Sequence, residues 1–489
     1  MTARPFNFLS ALLITSLLAL PGCSLTPAYQ PPASPLPARL DATTATPTSI
    51  GPGVALQDDE RRLLGELSHE PLLAELVSQA LAGNRDYRIA QLKVEQARSR
   101  FGLSQAERWP VLGLQVQRQH QRFNDPVLDE RYKQDLATAT LGVSDFELDF
   151  FGRLASLSEQ ARHQLLASDL GSQAARGALV AEVARLYLQA RQADEALQIA
   201  SDAAEVSRQL RASLQTQVAA GAVAAAELDA AQNEELQARQ RWQDSQSQRT
   251  QAYQALAWVT GYRLLPSPMP PATSPLAPAE LPGELADLPS ERLLQRFDVR
   301  AAEQRLRAAD AGIGAARAAF FPSIRLSTGL GVASPALHDL FSSGSGLRLL
   351  SPSLSLPLFD GGRNQANLNA AQVARQMAVA DYQRTLINAF RDMASGLEQR
   401  RQLLAQWQTL QARQQLAQRH SQRQEQQWQA GAGSLQARLQ ARLDTLQTSQ
   451  ALSQASQALF DNRLRLYRAL HGIDDSVALP EANLEGNSP

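Results

Sequence analysis

Residues 320–332 read Phe320-Phe321-Pro322-Ser323-Ile324-Arg325-Leu326-Ser327-Thr328-Gly329-Leu330-Gly331-Val332. The stretch ahead of it, Asp298–Phe320, reads as a helix rich in strong helix formers. Pro322 stops that helix, because the residue before a proline is pushed out of the helical region. From there Ile324, Leu326, Thr328, Leu330 and Val332 alternate with Ser323, Arg325, Ser327, Gly329 and Gly331. A period of two gives a strand with one apolar face and one wet face.

The same pattern is written earlier in the chain. Trp109-Pro110 ends the helical segment Arg85–Arg108, and Leu112, Leu114 and Val116 then alternate with Gly113, Gln115 and Gln117. Each half adds a second alternating stretch. One is Ala137, Ala139, Leu141 and Val143 between Thr138, Thr140, Gly142 and Ser144. The other is Leu354, Leu356 and Leu358 between Ser353, Ser355 and Pro357. After Ser144 the apolar set flips to Phe146, Leu148 and Phe150, which predicts that the strand leaves its apolar face there. A transmembrane strand needs only about 9–11 residues, and these stretches have that length.

Four landmarks repeat at an offset of about 210 residues: the X-Pro stop, Gly152-Arg153 with Gly362-Arg363, Ala220-Gly221 with Ala430-Gly431, and Gly261 with Gly472. The chain is therefore a duplication. Each half runs helix, two strands, very long helix (Arg153–Ala220, Arg363–Ala430), glycine turn, returning helix (Val223–Thr260, Ser434–His471). The long helix measures about 100 Å at 1.5 Å rise, which the two shorter helices match when stacked end to end. Leu435, Leu439, Leu443 and Leu446 form a narrow coiled-coil seam. The expected division is 1–22 signal peptide, 23–56 lipidated tether, 57–262 first repeat, 263–289 proline-rich linker, 290–472 second repeat and 473–489 polar tail.

The leader is an apolar run from Phe8 to Leu20, too short to span a bilayer as a helix. It ends in Leu20-Pro21-Gly22-Cys23, which resembles a bacterial lipobox and marks Cys23 for lipidation. The alternative is an ordinary secretory signal. Ser24 after the cysteine fits outer-membrane sorting of such lipoproteins. With one cysteine no intrachain disulfide can form. Lys and Arg number 47 against 48 Asp and Glu, a net charge of −1. That balance argues against nucleic-acid binding and offers no polybasic stripe for anionic lipid. No later run is long enough for a transmembrane helix, so a membrane crossing must use a β-barrel. Four strands cannot close one, since about eight is the practical minimum. The chain must oligomerise.

Together these features resemble the TolC-like outer membrane efflux proteins, in their OprM-type lipoprotein branch. The carriers are the lipobox, the duplication, Phe297-Asp298-Val299-Arg300-Ala301-Ala302-Glu303, Phe320-Phe321-Pro322-Ser323-Ile324 and Leu358-Phe359-Asp360-Gly361-Gly362-Arg363. The resemblance implies a mainly α fold that closes as a homotrimer. A twelve-strand barrel in the outer membrane would continue into a twelve-helix periplasmic α-barrel. It also implies the exit duct of a tripartite efflux pump. A periplasmic membrane-fusion adaptor and an inner-membrane transporter, either a resistance–nodulation–division antiporter or an ABC-type exporter, would be the partners. Phe297 stands where the family has proline, and Gln436 and Gln440 stand where it has a leucine and an aspartate of the closed tip. The family's acidic gate therefore does not transfer to the second hairpin.

Near the glycine turns the first hairpin carries Glu227 and Asp229 and the second Arg438 and Arg442. They are candidate gate residues that pair across hairpins, or else solvated charges. Trp109, Phe320 and Phe321 form either a membrane girdle or packing at the helix–strand junction. Asp145, Glu147 and Asp149 lack the rest of a cation loop. Gly312-Ile313-Gly314 lacks a dinucleotide fingerprint, and Ser343-Gly344-Ser345-Gly346 is a strand-connecting loop. No metal, cofactor or catalytic set emerges, and an enzyme is not expected. The alternative to a duct is a non-pore coiled-coil lipoprotein that scaffolds the envelope.

Overall fold

The structure is a computed structural model and describes residues 53–67, 71–125, 130–261, 265–269, 289–335 and 339–470. Cys23, the signal segment, most of the tether and linker, and the tail lie outside the described residues. Two short helices, α1 (Asp58–Leu67) and α2 (Pro71–Gly83), open the chain. The first half continues with α3 (Arg85–Ala106), β1 (Leu112–Asp125), β2 (Glu130–Leu148), α4 (Arg153–Ala219) and α5 (Ala225–Thr260). A 3-10 turn, Ser290–Gln295, precedes the second half: α6 (Phe297–Ala318), β3 (Ser323–Ser334), β4 (Gly346–Ser355), α7 (Arg363–Gln429) and α8 (Leu435–Leu470).

The four strands make one antiparallel sheet in the order β1-β2-β3-β4. Register puts Leu114 opposite Leu141 and Leu141 opposite Leu330, so the apolar alternation of the separate strands joins into one continuous face. The flip after Ser144 has a different cause from the one expected. Val143 pairs with Thr328 but Phe146 pairs with Leu326, so β2 carries one extra residue against β3, a β-bulge. Asp145 takes a left-handed φ of 58° at the bulge, and its amide donates to Ser327 Oγ at 3.0 Å. The extra residue returns Phe146 and Leu148 to the apolar face, and β2 stays on it.

Helices align with strands. α4 packs against α3 and α5 on one side and against α6 and α8 on the other, and α7 packs against α6 and α8. The lateral order is therefore α3/α5, α4, α6/α8, α7, the same as that of the strands each rod enters or leaves. α4 and α7 have 67 residues each, while the split rods have pieces of 22 and 36. One polar residue closes each joint. Asn84 Oδ1 accepts from the Tyr87 amide at 3.0 Å while its Nδ2 donates to Val259 O at 3.4 Å. Arg296 Nη1 donates to Ala469 O at 3.3 Å, and its other nitrogens hold Asp298, which caps the Val299 amide at 2.9 Å. In this way the start of α3 is tied to the end of α5, and the start of α6 to the end of α8.

The largest apolar core sits beside these joints. Leu73, Leu76 and Val77 of α2 pack with Val180, Val183 and Tyr187 of α4, Leu256 of α5 and Phe460 of α8, all buried. α1 and α2 were not anticipated from the sequence, and they thicken the rod layer at one level into a collar. Glu60 is fully buried there, held by Arg176 at 2.7 Å and by the Gln57 amide at 2.7 Å. A carboxylate in that position is tolerable only because both oxygens are satisfied.

Candidate channel gate and membrane sheet

Both long hairpins reverse in the same way. Past α4 the Gly221 amide bonds Val218 O and the Ala222 amide bonds Gln217 O; past α7 Gly431 and Ala432 bond Trp428 O and Gln427 O. This is a Schellman turn, which needs a left-handed residue, and Gly221 and Gly431 have φ of 68° and 73°. The tips differ at the next step. Ser434 Oγ caps the Ala437 amide at 3.1 Å, whereas Ala224 gives the first hairpin no side-chain cap.

Below the turns Val206, Leu210 and Leu214 of α4 bury against Leu439 and Leu443 of α8. That contact confirms the leucine seam and brings the two hairpins together. It also puts α4 between α5, which carries Glu227 and Asp229, and α8, which carries Arg438 and Arg442. Within the chain Arg438 instead meets the neighbouring helix of its own hairpin: its Nε donates to Glu425 Oε2 of α7 at 2.5 Å. That hydrogen bond, joined by the field of Arg442, holds the Glu425 carboxyl below its ordinary range. The first hairpin has a counterpart of opposite polarity, Arg211 of the long helix on Glu235 of the returning helix at 2.5 Å. Neither Glu425 nor the Arg211–Glu235 pair was singled out from the sequence. The signal was available for the pair of the second hairpin, since Glu425 and Arg438 stand at near-mirror distances from Gly431. Gln436 and Gln440 lie on α8 beside Arg438.

At the other end the strands meet the rods. Asp145 holds Arg325 at 2.8 Å, Glu147 holds Arg153 through two bonds of 2.8 Å, and Asp149 caps the Ala155 amide of α4 at 2.7 Å. Glu147 and Asp149 thus anchor the sheet to α4, while Asp145 ties β2 to β3. Asp360 does the same for α7, accepting from the Gly362 and Asn364 amides, and Asn364 Nδ2 reaches Ala319 O of the neighbouring rod at 3.0 Å. Phe321 stacks on Phe151 with centroids 4.8 Å apart, so it packs at the junction, while Trp109 is 74% exposed. Phe320, Phe150 and Phe359, which flank the helix–strand junctions in sequence, are exposed.

The sheet has an exposed apolar face bearing Leu112, Leu114, Val116, Leu141, Leu330, Leu350 and Leu354. Its opposite face carries Gln115, Gln117, Thr138, Thr140, Ser351 and Ser353. Among the described residues neither β1 nor β4 has a partner on its outer edge. Among the described residues no helix is long and apolar enough to cross a membrane, and no three His, Cys, Asp or Glu are placed to hold one metal ion.

A sheet with one lipid-type face, one wet face and two open edges, continued by 67-residue helices, defines a channel-forming membrane protein. The chain matches the model of the outer membrane efflux proteins over residues 76–262 and 288–472, and it belongs to that family. It is 34% identical over 479 residues to the probable outer membrane lipoprotein SilC of Salmonella typhimurium, covering 95% of this chain and 98% of that one. It is 35% identical over 400 residues to the toluene efflux pump outer membrane protein TtgI of Pseudomonas putida, covering 79% and 81%. The open state of the MtrE outer membrane channel of Neisseria gonorrhoeae superimposes with a TM-score of 0.69 at 28% identity, over 92% of this chain and 98% of that one. The chain is an outer membrane efflux channel, with its helices on the periplasmic side. Family membership removes the non-pore scaffold.

Proposed function

We propose that three copies of this chain close into one duct, a twelve-strand barrel over a twelve-helix tube. The duct passively conducts solutes delivered by a periplasmic adaptor and an inner-membrane transporter. The observation that carries this reading is the shared lateral order of strands and rods. It leaves two complementary open edges, β1 with α3/α5 and β4 with α7, and head-to-tail pairing of such edges generates a ring. The repeats 57–262 and 290–472 then supply alternate staves. Relatives named for a toluene pump and for cation efflux share this architecture, which supports selection by the pump rather than by the duct. The energising partner is a resistance–nodulation–division antiporter or an ABC-type exporter. The lipobox at Cys23 and the lipoprotein name of SilC support an acyl anchor on that cysteine. The glycine-turn end is the gate, with Glu227, Asp229, Arg438, Arg442, Gln436 and Gln440 at its mouth.

Conductance of the purified protein in planar bilayers tests the reading, together with identification of the inner-membrane pump retained on a tagged trimer. Discrete channel steps and a co-purifying transporter are expected. Absence of conductance from a protein that inserts would overturn it.

A further inference from the structure

The net charge of −1 hides a division between the two hairpins. Over residues 225–244 α5 carries five acids and two arginines, while over 408–427 α7 carries three arginines and one acid. The two spans lie at equal distances from their glycine turns. They also lie on opposite flanks of the layer, with α4 and α8 between them.

Each of these helices has one face taken. α5 turns Leu228, Ala231 and Glu235 toward α4, where Ala231 is buried and Glu235 holds Arg211. α7 turns Gln414, Ala417 and Glu425 toward α8, bonded there to Ser449, Thr445 and Arg438. The 3.6-residue period puts the opposite stripe on Asp229, Asn233 and Leu236 of α5, and on Arg423, Arg419 and Leu416 of α7. All six are exposed, Leu236 at 65% and Leu416 at 59%. On α5 the three stand 8, 12 and 15 residues from Gly221; on α7 they stand 8, 12 and 15 residues from Gly431. Both turns close in the same way, so the stripes carry rungs at matching heights of about 12, 18 and 22 Å. Steps of four and three are the spacing of a coiled-coil seam. Nearest the turn the rung is an acid and an arginine, above it an amide and an arginine, and above that two leucines.

We propose that α7 of one copy lies antiparallel along α5 of the next in this register, with Leu416 on Leu236 and Arg423 opposite Asp229. The proposal rests on the duct reading, which makes the flanks of successive copies neighbours. Charge selects a second copy in head-to-tail contact as the occupant. An acidic flank repels another α5 and a cationic flank repels another α7, so only unlike flanks join. The seam within the chain, closed by Leu210 and Leu214 on Leu439 and Leu443, is apolar and carries no such steering.

Disulfide trapping in the full-length protein, oxidised before denaturing gels, tests the register. Leu236→Cys with Leu416→Cys is expected to give a covalent trimer, because a disulfide needs Cα atoms within about 7 Å. Leu236→Cys with Arg423→Cys, offset by about 10 Å along the helix, is expected to stay at protomer mass. The wild type, with Cys23 alone, gives the baseline. Light scattering of the same proteins before oxidation reads the trimer independently. A trimer whose first pair does not link, or whose second pair links as fast, would overturn the register alone. A protein that stays monomeric removes the duct reading along with it. Arg423→Asp should slow linking of the first pair about two- to fivefold at low salt, and adding Asp229→Arg should restore the rate. An unchanged rate in the single variant, or no recovery on the swap, would overturn the charged rung.

Discussion

Glu425 and Arg438 face each other across the second hairpin turn, with Arg442 in the same field. Arg438→Glu places two acids in contact and should loosen the tip, raising single-channel conductance and letting large antibiotics leak into cells. Adding Glu425→Arg should restore the wild-type conductance. Rescue instead by Glu227→Arg with Asp229→Arg would locate the latch between hairpins. The pair also predicts a pH response. The carboxyl of Glu425 is depressed in the folded chain, so its stabilisation is complete above the ordinary value of 4.5 and is lost as pH falls through the depressed one. Conductance should stay flat from neutral pH down to about 4.5 and rise only below it. A rise between neutral pH and that value would assign the gate to another group.

Two elements hold the staves in register. A Cβ at Gly142 would stand 2.1 Å from Thr328 O, and one at Gly331 2.1 Å from Ala139 O, so β2 and β3 approach at these rungs more closely than a side chain permits. Gly142→Ala and Gly331→Ala should prevent the cross-linked trimer from forming. Gly113→Ala, where nothing lies within 4 Å, should leave it intact. The rod joints make a second case. Asn84→Ala removes an N-cap and a carbonyl bond, at a cost of about 0.5–2 kcal/mol. Arg296→Ala leaves both Asp298 and Ala469 O unmet and should cost more, about 1–3 kcal/mol. Calorimetry should show the larger fall in Tm for Arg296→Ala; the reverse order would mean that Asp298 finds its own solvation.

At the scale of the whole molecule, the protomer is unfinished on both flanks. β1 and β4 are open, and Ile387 and Phe390 of α7, like Ile89 and Leu236 of α3 and α5, are more than half or about half exposed. An unpaired strand edge cannot rest in lipid. Cross-linking in detergent should therefore give a trimer, and a dominant monomer or dimer would refute the twelve-strand closure. Cys23→Ser should block acylation, since only a thiol forms the thioether, and should mislocalise the protein and abolish export. Full activity from a mutant still in the outer membrane would show that the barrel alone anchors it.

Local chemistry written along the chain was enough for the long helices and the centres of the strands, but not for α1, α2 or the outer ends of β1 and β2. Alanine- and glutamine-rich runs bounded by glycine and X-Pro gave helices whose ends the structure moves by at most about two residues. Period-two alternation gave the strands, and the repeat gave the order of parts. These signals need no knowledge of neighbours. What required neighbours came only with the tertiary structure. Only pairing with β3 shows that the break after Ser144 is a bulge that keeps Phe146 on the apolar face. Only the packing order shows that within the chain α4 lies between α5 and α8 and that Arg438 meets Glu425, because contacts between elements far apart in sequence leave no local periodicity.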